Sequence, residues 1–143
     1  MYGERGGRVV KGRRVWTLVL VAALALGGYR VWSAWYSPAA QAAAAADRFW
    51  KAVVRGDAGA VTAMMAPEAD FRAEDLIAQH EGFKYNGKAH IVKALTPNRT
   101  GVQFLAISFV VPPPYEYSHG RTLALKQAEG RWLVTRAGSG FSY

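Results

Sequence analysis

Val102-Gln103-Phe104-Leu105-Ala106-Ile107-Ser108-Phe109-Val110-Val111 is the most strand-like stretch of this chain. Ten residues rich in β-branched and aromatic side chains, without glycine, proline or charge, predict an extended segment. Alternation puts Gln103, Leu105, Ile107, Phe109 and Val111 on one face and Val102, Phe104, Ala106, Ser108 and Val110 on the other. Both faces are mostly apolar, so the strand is expected in the middle of its sheet, covered on each side by helices, a partner or membrane.

Downstream, Pro112-Pro113-Pro114 ends this strand, and Tyr115-Glu116-Tyr117-Ser118-His119-Gly120 reads as a loop. A hairpin follows: Arg121 to Gln127, a turn at Ala128-Glu129-Gly130, then Arg131 to Arg136, with Gly138 to Tyr143 left as a loose tail. Upstream, Thr96 to Gly101 reads as a turn, and Asn86-Gly87 is a strong hairpin signal between Phe83–Tyr85 and Lys88–Val92. Before residue 82 the period changes to that of helices. Ala39 to Val54 places Phe49, Trp50, Val53 and Val54 on one face, with Asp47, Arg48, Lys51 and Arg55 on the other. Gly56-Asp57 ends that helix, and Asp57 can cap a second one over Ala58 to Met65, stopped by Pro67. Ala73 to His80 reads as a third, with Leu76 and Ile77 inward and Gly82 as terminator. Helices first and about four to six antiparallel strands after give an α+β fold, helices on one side of a curved sheet.

The N-terminal segment is different in kind. Val15 to Gly28 is 14 residues without a charge, and the apolar character resumes after Arg30. Counted from Val15 to Tyr36 the segment has 22 residues, enough to cross a bilayer as a helix. Trp16 at one end and Tyr29, Trp32, Trp35 and Tyr36 at the other would sit at the lipid–water interfaces, and Arg30 can extend its stem into the headgroups. Arg13 and Arg14 stand before the segment as lipid-contacting cations. The competing reading is a cleaved secretory signal, with small-x-small sites at Ser37-Pro38-Ala39 and Ala40-Gln41-Ala42. Four aromatics and Arg30 separate those sites from the apolar core, which favours the uncleaved anchor. The expected domains are a basic cytoplasmic tail over residues 1–14, a membrane helix over 15–36 and an extracytoplasmic domain over 37–143.

Composition narrows the role. The chain has 143 residues, a formal charge of +8 and no cysteine. One domain fits this length. Disulfide scaffolds, thiol redox chemistry and thiolate zinc sites are excluded. The positive charge invites a nucleic-acid reading until its distribution is considered. Arg5, Arg8, Lys11, Arg13 and Arg14 face Glu4 alone, a net of +4 in the tail, whereas residues 37–143 carry 12 basic and 9 acidic side chains. A basic tail before an apolar run orients a membrane helix with its N-terminus inside; a nucleic-acid module would concentrate charge on the folded part. No nucleic-acid partner is expected.

From Ala46-Asp47-Arg48-Phe49-Trp50-Lys51-Ala52-Val53-Val54-Arg55-Gly56-Asp57 through the closing hairpin Leu123-Ala124-Leu125-Lys126 and Gly130-Arg131-Trp132-Leu133-Val134, the chain resembles the nuclear transport factor 2-like superfamily. The resemblance spans about Ala43 to Ala137 and implies a cone of helices against a strongly bent sheet. One subset of the superfamily is similar in layout too: a basic tail, one membrane helix and an exported cone, including an assembly component of type IV secretion and conjugation machines. The fold hosts enzymes, ligand carriers and assembly modules alike, so function has to come from the site.

In enzymes of this superfamily, the resemblance implies, an acid or histidine shuttles a proton inside the cone beside a tyrosine or protonated acid. The strands Val102–Val111, Leu123–Lys126 and Arg131–Arg136 contain no Asp, Glu or His. The alternatives for catalysis are His80 at a helix end and His90 on an early strand, with His119 in the proline-rich loop and Tyr85, Tyr115 and Tyr117 as donors. His80 and Glu81 read more simply as a solvated helix end. Three histidines without paired spacing make no metal site, and neither a metal nor a cofactor is expected. Asn98-Arg99-Thr100 fits a glycosylation triplet in a chain whose alanine-rich composition looks bacterial. Trp50, Phe104 and Trp132 could line a cone interior holding a small apolar ligand. Tyr115 and Tyr117 beside three prolines offer a stiff aromatic loop for a protein partner or a second copy. The sequence thus leads to a non-catalytic, membrane-anchored binding or assembly module of the kind that serves cell-envelope or secretion-type complexes. An exported isomerase- or cyclase-type enzyme and a secreted small-ligand carrier stand as alternatives.

Overall fold

The computed structural model describes residues 6–35, 37–98 and 101–138. The chain divides between Ser37 and Pro38 into two units.

The first unit is one helix, α1 (Gly6–Trp35). Its stretch Gly12–Trp32, 21 residues, is long and apolar enough to cross a membrane; at 1.5 Å per residue it measures about 32 Å. Trp16, Leu18, Val19, Leu20, Leu24 and Leu26 are all more than half exposed, and none of this stretch is buried. The side chain of Trp35, all of Tyr36 and the first five residues lie outside the described residues.

The second unit begins with α2 (Pro38–Arg55). Pro38 suits a first helical position, where its missing N–H would have no partner anyway. Ala42, Ala45, Ala46, Phe49, Trp50, Ala52 and Val53 form its buried stripe. The alanines let the first half lie close to the sheet, while Phe49 and Trp50 fill the middle. Gly56, at a φ of +72°, ends the helix in the left-handed conformation that only glycine adopts without strain. Asp57 then caps α3 (Ala58–Ala63), its carboxylate accepting from the Ala60 N–H at 3.1 Å. This helix stops two residues short of the expected Met65. The Met64 carbonyl accepts from the Val134 N–H and the Ala66 N–H donates to the Val134 carbonyl, both at 2.8 Å. Residues 64–66 are thereby drawn onto a sheet edge. α4 (Ala73–Gln79) follows, ending at His80 and the left-handed Gly82.

Five antiparallel strands make a strongly curled half-barrel: β1 (Lys84–Tyr85), β2 (His90–Asn98), β3 (Gly101–Val111), β4 (His119–Ala128) and β5 (Arg131–Gly138). β3 is central, as its sequence predicts. β4 pairs along one side of it, and β1 and β2 follow one another along the other. The Asn86-Gly87 hairpin is therefore a misreading. Gly87 does take a positive φ of +67°, but β1 and β2 both pair with β3 and not with each other. Residues 86–89 are a bulge of the edge, four residues opposite Ser108 and Phe109. Further register shifts in β2 and between β4 and β5 add curl. The expected turn at Thr96–Gly101 also contracts: β2 runs to Asn98 and β3 starts at Gly101, with Arg99 and Thr100 outside the described residues. At the other end Gly138 belongs to β5, opposite Thr122, and the tail beyond it lies outside the described residues. Glu129 and Gly130, both at positive φ, form the two-residue turn between β4 and β5.

The inner face of the sheet carries Ala106, Val110, Leu123, Leu125, Trp132 and Val134 against α2, α3 and α4. α2, α3 and α4 all pack on the inner face, so the cover expected on the outer face, from a helix, a partner or membrane, does not come from them. Leu105, Ala124 and Leu133 are nevertheless buried there, beside an ion pair of Lys126 with Glu68, while Phe109 is 41% exposed.

Candidate functional site

Strand alternation gives the site its unexpected member. In β4, Arg121, Leu123 and Leu125 share a face, and register with Ser108, Ala106 and Phe104 makes it the inner one. A cation therefore points to the interior side of the sheet, near the end of α4, where His80 terminates the helix. His80 is buried, only 3% exposed, so the solvated helix end expected from its neighbours is incorrect. Glu81, one residue on, does face solvent.

The tautomer follows from the partners. Arg121 Nε can only donate, and it lies 3.1 Å from His80 Nε2, which must therefore accept. The proton then sits on Nδ1 and is donated to the Leu76 carbonyl at 2.8 Å. Trp50 and Phe83 pack edge-on against the imidazole, each with ring centroids 5.0 Å away. Burial pushes the His80 pKa down, the Leu76 carbonyl opposes that shift, and the Arg121 charge reinforces it. A neutral ring wedged between two aromatics is the result.

A pocket of about 270 Å³ opens beside this pair, lined by Trp50, Leu76, Gln79, His80, Arg121, Ala137 and Gly138. Arg121 also donates from Nη1 to the Gly120 carbonyl at 3.2 Å. No carboxylate among the described residues forms an ion pair with it; the Lys126–Glu68 and Arg136–Asp70 pairs engage other cations. Trp50 adds a buried indole N–H that has no hydrogen-bond acceptor among the described residues. A second pocket of about 280 Å³ shares His80 but is walled by the end of α2 and by Gly82.

A separate polar contact ties α2 to the sheet edge. Asp47, expected on the solvated face of α2, is half-buried and accepts from the Tyr85 hydroxyl and, at 2.7 Å, from the Ala89 N–H. Both ends of the 86–89 bulge are thus held by one carboxylate oxygen. Burial, then the Asp47 contact, raises the Tyr85 pKa far above its ordinary value, so this phenol stays protonated.

Of the residues expected to line one ligand chamber, Trp50 stands apart from the other two. Phe104 and Trp132 pack together with ring centroids 5.4 Å apart, and the Trp132 indole donates to Gln41 at 3.4 Å. Gln41 precedes Trp50 by nine residues of α2, about 13 Å along the helix. The three mark opposite ends of the core. His90 pairs with Ile107 and is exposed on the outer side of the sheet, away from His80. His119 is exposed. Tyr115 leans back on its own domain, its hydroxyl donating to the Gly82 carbonyl at 3.0 Å and its ring under the Lys84 ammonium. Tyr117 is 75% exposed. Arg13, Arg14, Trp16 and Trp32 are exposed on α1. Among the described residues no group of three or more His, Cys, Asp or Glu could hold a metal.

No protein-family model matches the chain, and no curated protein matches it.

Proposed function

We propose that the chain is a non-catalytic binding or assembly module, exported and held at the outer surface of a bacterial cell membrane by α1, with a nuclear transport factor 2-like cone as its second unit. The observation that carries this reading is the stretch Gly12–Trp32, long and apolar enough to cross a membrane and exposed throughout, with an uncharged run from Val15 to Gly28 at its centre. A helix apolar all round is stable where hydrocarbon covers it, not in water. The basic tail ahead of it sets the orientation, N-terminus inside, and draws the chain to anionic headgroups. The curled sheet with helices on its inner face supports the cone, and the loop bearing Tyr117 supports a protein partner or a second copy as the binding target.

The interior favours binding over turnover. A general base needs a free lone pair, and the one on His80 is taken by Arg121. The lowered His80 pKa weakens it further as a base, and the raised Tyr85 pKa keeps that phenol a donor only.

Because the chain has no cysteine, topology can be read with single thiols. Spheroplasts expressing Gln127→Cys should be labelled by a membrane-impermeant maleimide, whereas those expressing Gly3→Cys should be labelled only after permeabilisation. Labelling of Gly3→Cys in sealed spheroplasts, or protection of Gln127→Cys, would overturn the reading.

A further inference from the structure

We propose that the pocket beside His80 and Arg121 binds a small carboxylate, held by the Arg121 guanidinium. The inference does not depend on where the domain resides, since all the residues that form the pocket belong to the second unit.

A guanidinium has five N–H groups in a fixed fork. Arg121 commits Nε–H to His80 and one Nη1–H to the Gly120 carbonyl, which leaves three. It is only partly exposed, and no carboxylate among the described residues balances its charge. Among the described residues this partly buried cation has no counter-ion, an unfavourable arrangement that a bound anion would relieve. His80 does not relieve this, because the neutral ring accepts a hydrogen bond without carrying negative charge. What His80 does is position the fork: its Nδ1–H is fixed on the Leu76 carbonyl, so Nε2 holds the guanidinium from behind and aims the remaining N–H groups away from itself.

The chemistry of the remaining lining selects the class of ligand. A carboxylate matches two parallel N–H donors of one guanidinium. A phosphate dianion would be left half-neutralised, since among the described residues Arg121 is the only cation in the pocket wall. Gln79 supplies a neutral polar group, and Leu76 and Ala137 give a short apolar wall for a small alkyl body. At about 270 Å³ the pocket lies just under the usual range for drug-sized ligands, so the acid is a small one.

The test is isothermal titration calorimetry on the full chain in detergent micelles, with sodium butyrate as probe. Butyramide is the uncharged isostere, and inorganic phosphate and chloride are the anion controls. Butyrate should bind saturably with one site per chain, butyramide and chloride should not, and phosphate should be weaker than butyrate. Arg121→Gln should weaken butyrate binding about tenfold or more, as expected when a charge-assisted pair is lost. If Arg121→Gln does not fold, Gln79→Glu at the exposed end of α4 serves instead: its own carboxylate should occupy the guanidinium and abolish butyrate binding. Absence of butyrate binding to the folded wild-type chain would overturn the proposal. So would equal binding of butyramide, tighter binding of phosphate, or undiminished binding to the folded variants.

Discussion

His80 and Arg121 show how a residue's role depends on its partner across the chain and not on its sequence neighbours. Beside Gln79 and Glu81, His80 looks solvated; in the fold it is buried against Trp50 and Phe83 and accepts from a strand residue 41 positions away. The consequence is a pH-dependent stability. Above about pH 6.5, the ordinary histidine value, both folded and unfolded chains carry a neutral ring. Below it the unfolded chain takes a proton first, because burial and the Arg121 charge hold the folded pKa lower. Stability is therefore complete above that value and is lost as the pH falls toward the folded pKa. Thermal unfolding of the full chain in detergent between pH 7.5 and 5, followed by near-ultraviolet circular dichroism, should show a steeper fall for wild type than for His80→Gln. Parallel curves would contradict the buried neutral ring. Arg121 was legible in retrospect: it stands in phase with Leu123 and Leu125, so whichever face of β4 is apolar also carries the cation. What the sequence could not reveal is that α4 ends above that position, because the packing of a helix end on a strand is long-range.

At the scale of elements, the join between α2 and the β1–β2 edge is the part that local signals misread. Asn86-Gly87 has hairpin chemistry, and Gly87 uses the left-handed backbone that chemistry implies. The strands on either side nevertheless pair with β3, and Asp47 on α2 accepts from both ends of the bulge between them. Asp47→Ala would leave the Tyr85 hydroxyl and the Ala89 N–H without this acceptor and should destabilise the chain by about 1–3 kcal/mol. In a double-mutant cycle with Tyr85→Phe, followed by denaturant unfolding, the two losses should be less than additive. Strict additivity would show that the carboxylate and the phenol are energetically independent. Elements specified by local chemistry were legible: the Asp57 cap, the Gly56 and Gly82 helix ends, the central strand and the closing hairpin all appear. α3 was over-extended because Met64 and Met65 carry no local stop signal; they leave the helix to meet Val134, a partner about 70 residues away in the chain.

For the whole molecule, the two units divide the task. The second buries an apolar core of its own between α2–α4 and the inner face of the sheet, whereas the first exposes apolar side chains along 21 residues. That contrast was legible from the start, since an uncharged run behind a basic tail depends on composition and not on folding. The identity of the proposed partner was not legible, because exposed aromatic loops such as the one bearing Tyr117 mark a surface without naming what would cover it. The central claim, an uncleaved helix that holds a folded domain at a membrane, is tested most directly by intact mass together with fractionation of the expressed chain. A mass near 15.6 kDa in a pellet that resists high salt and alkaline wash is the expected result. A soluble product shortened by about 39–42 residues, the length removed by cleavage after Ala39 or Ala42, would contradict it.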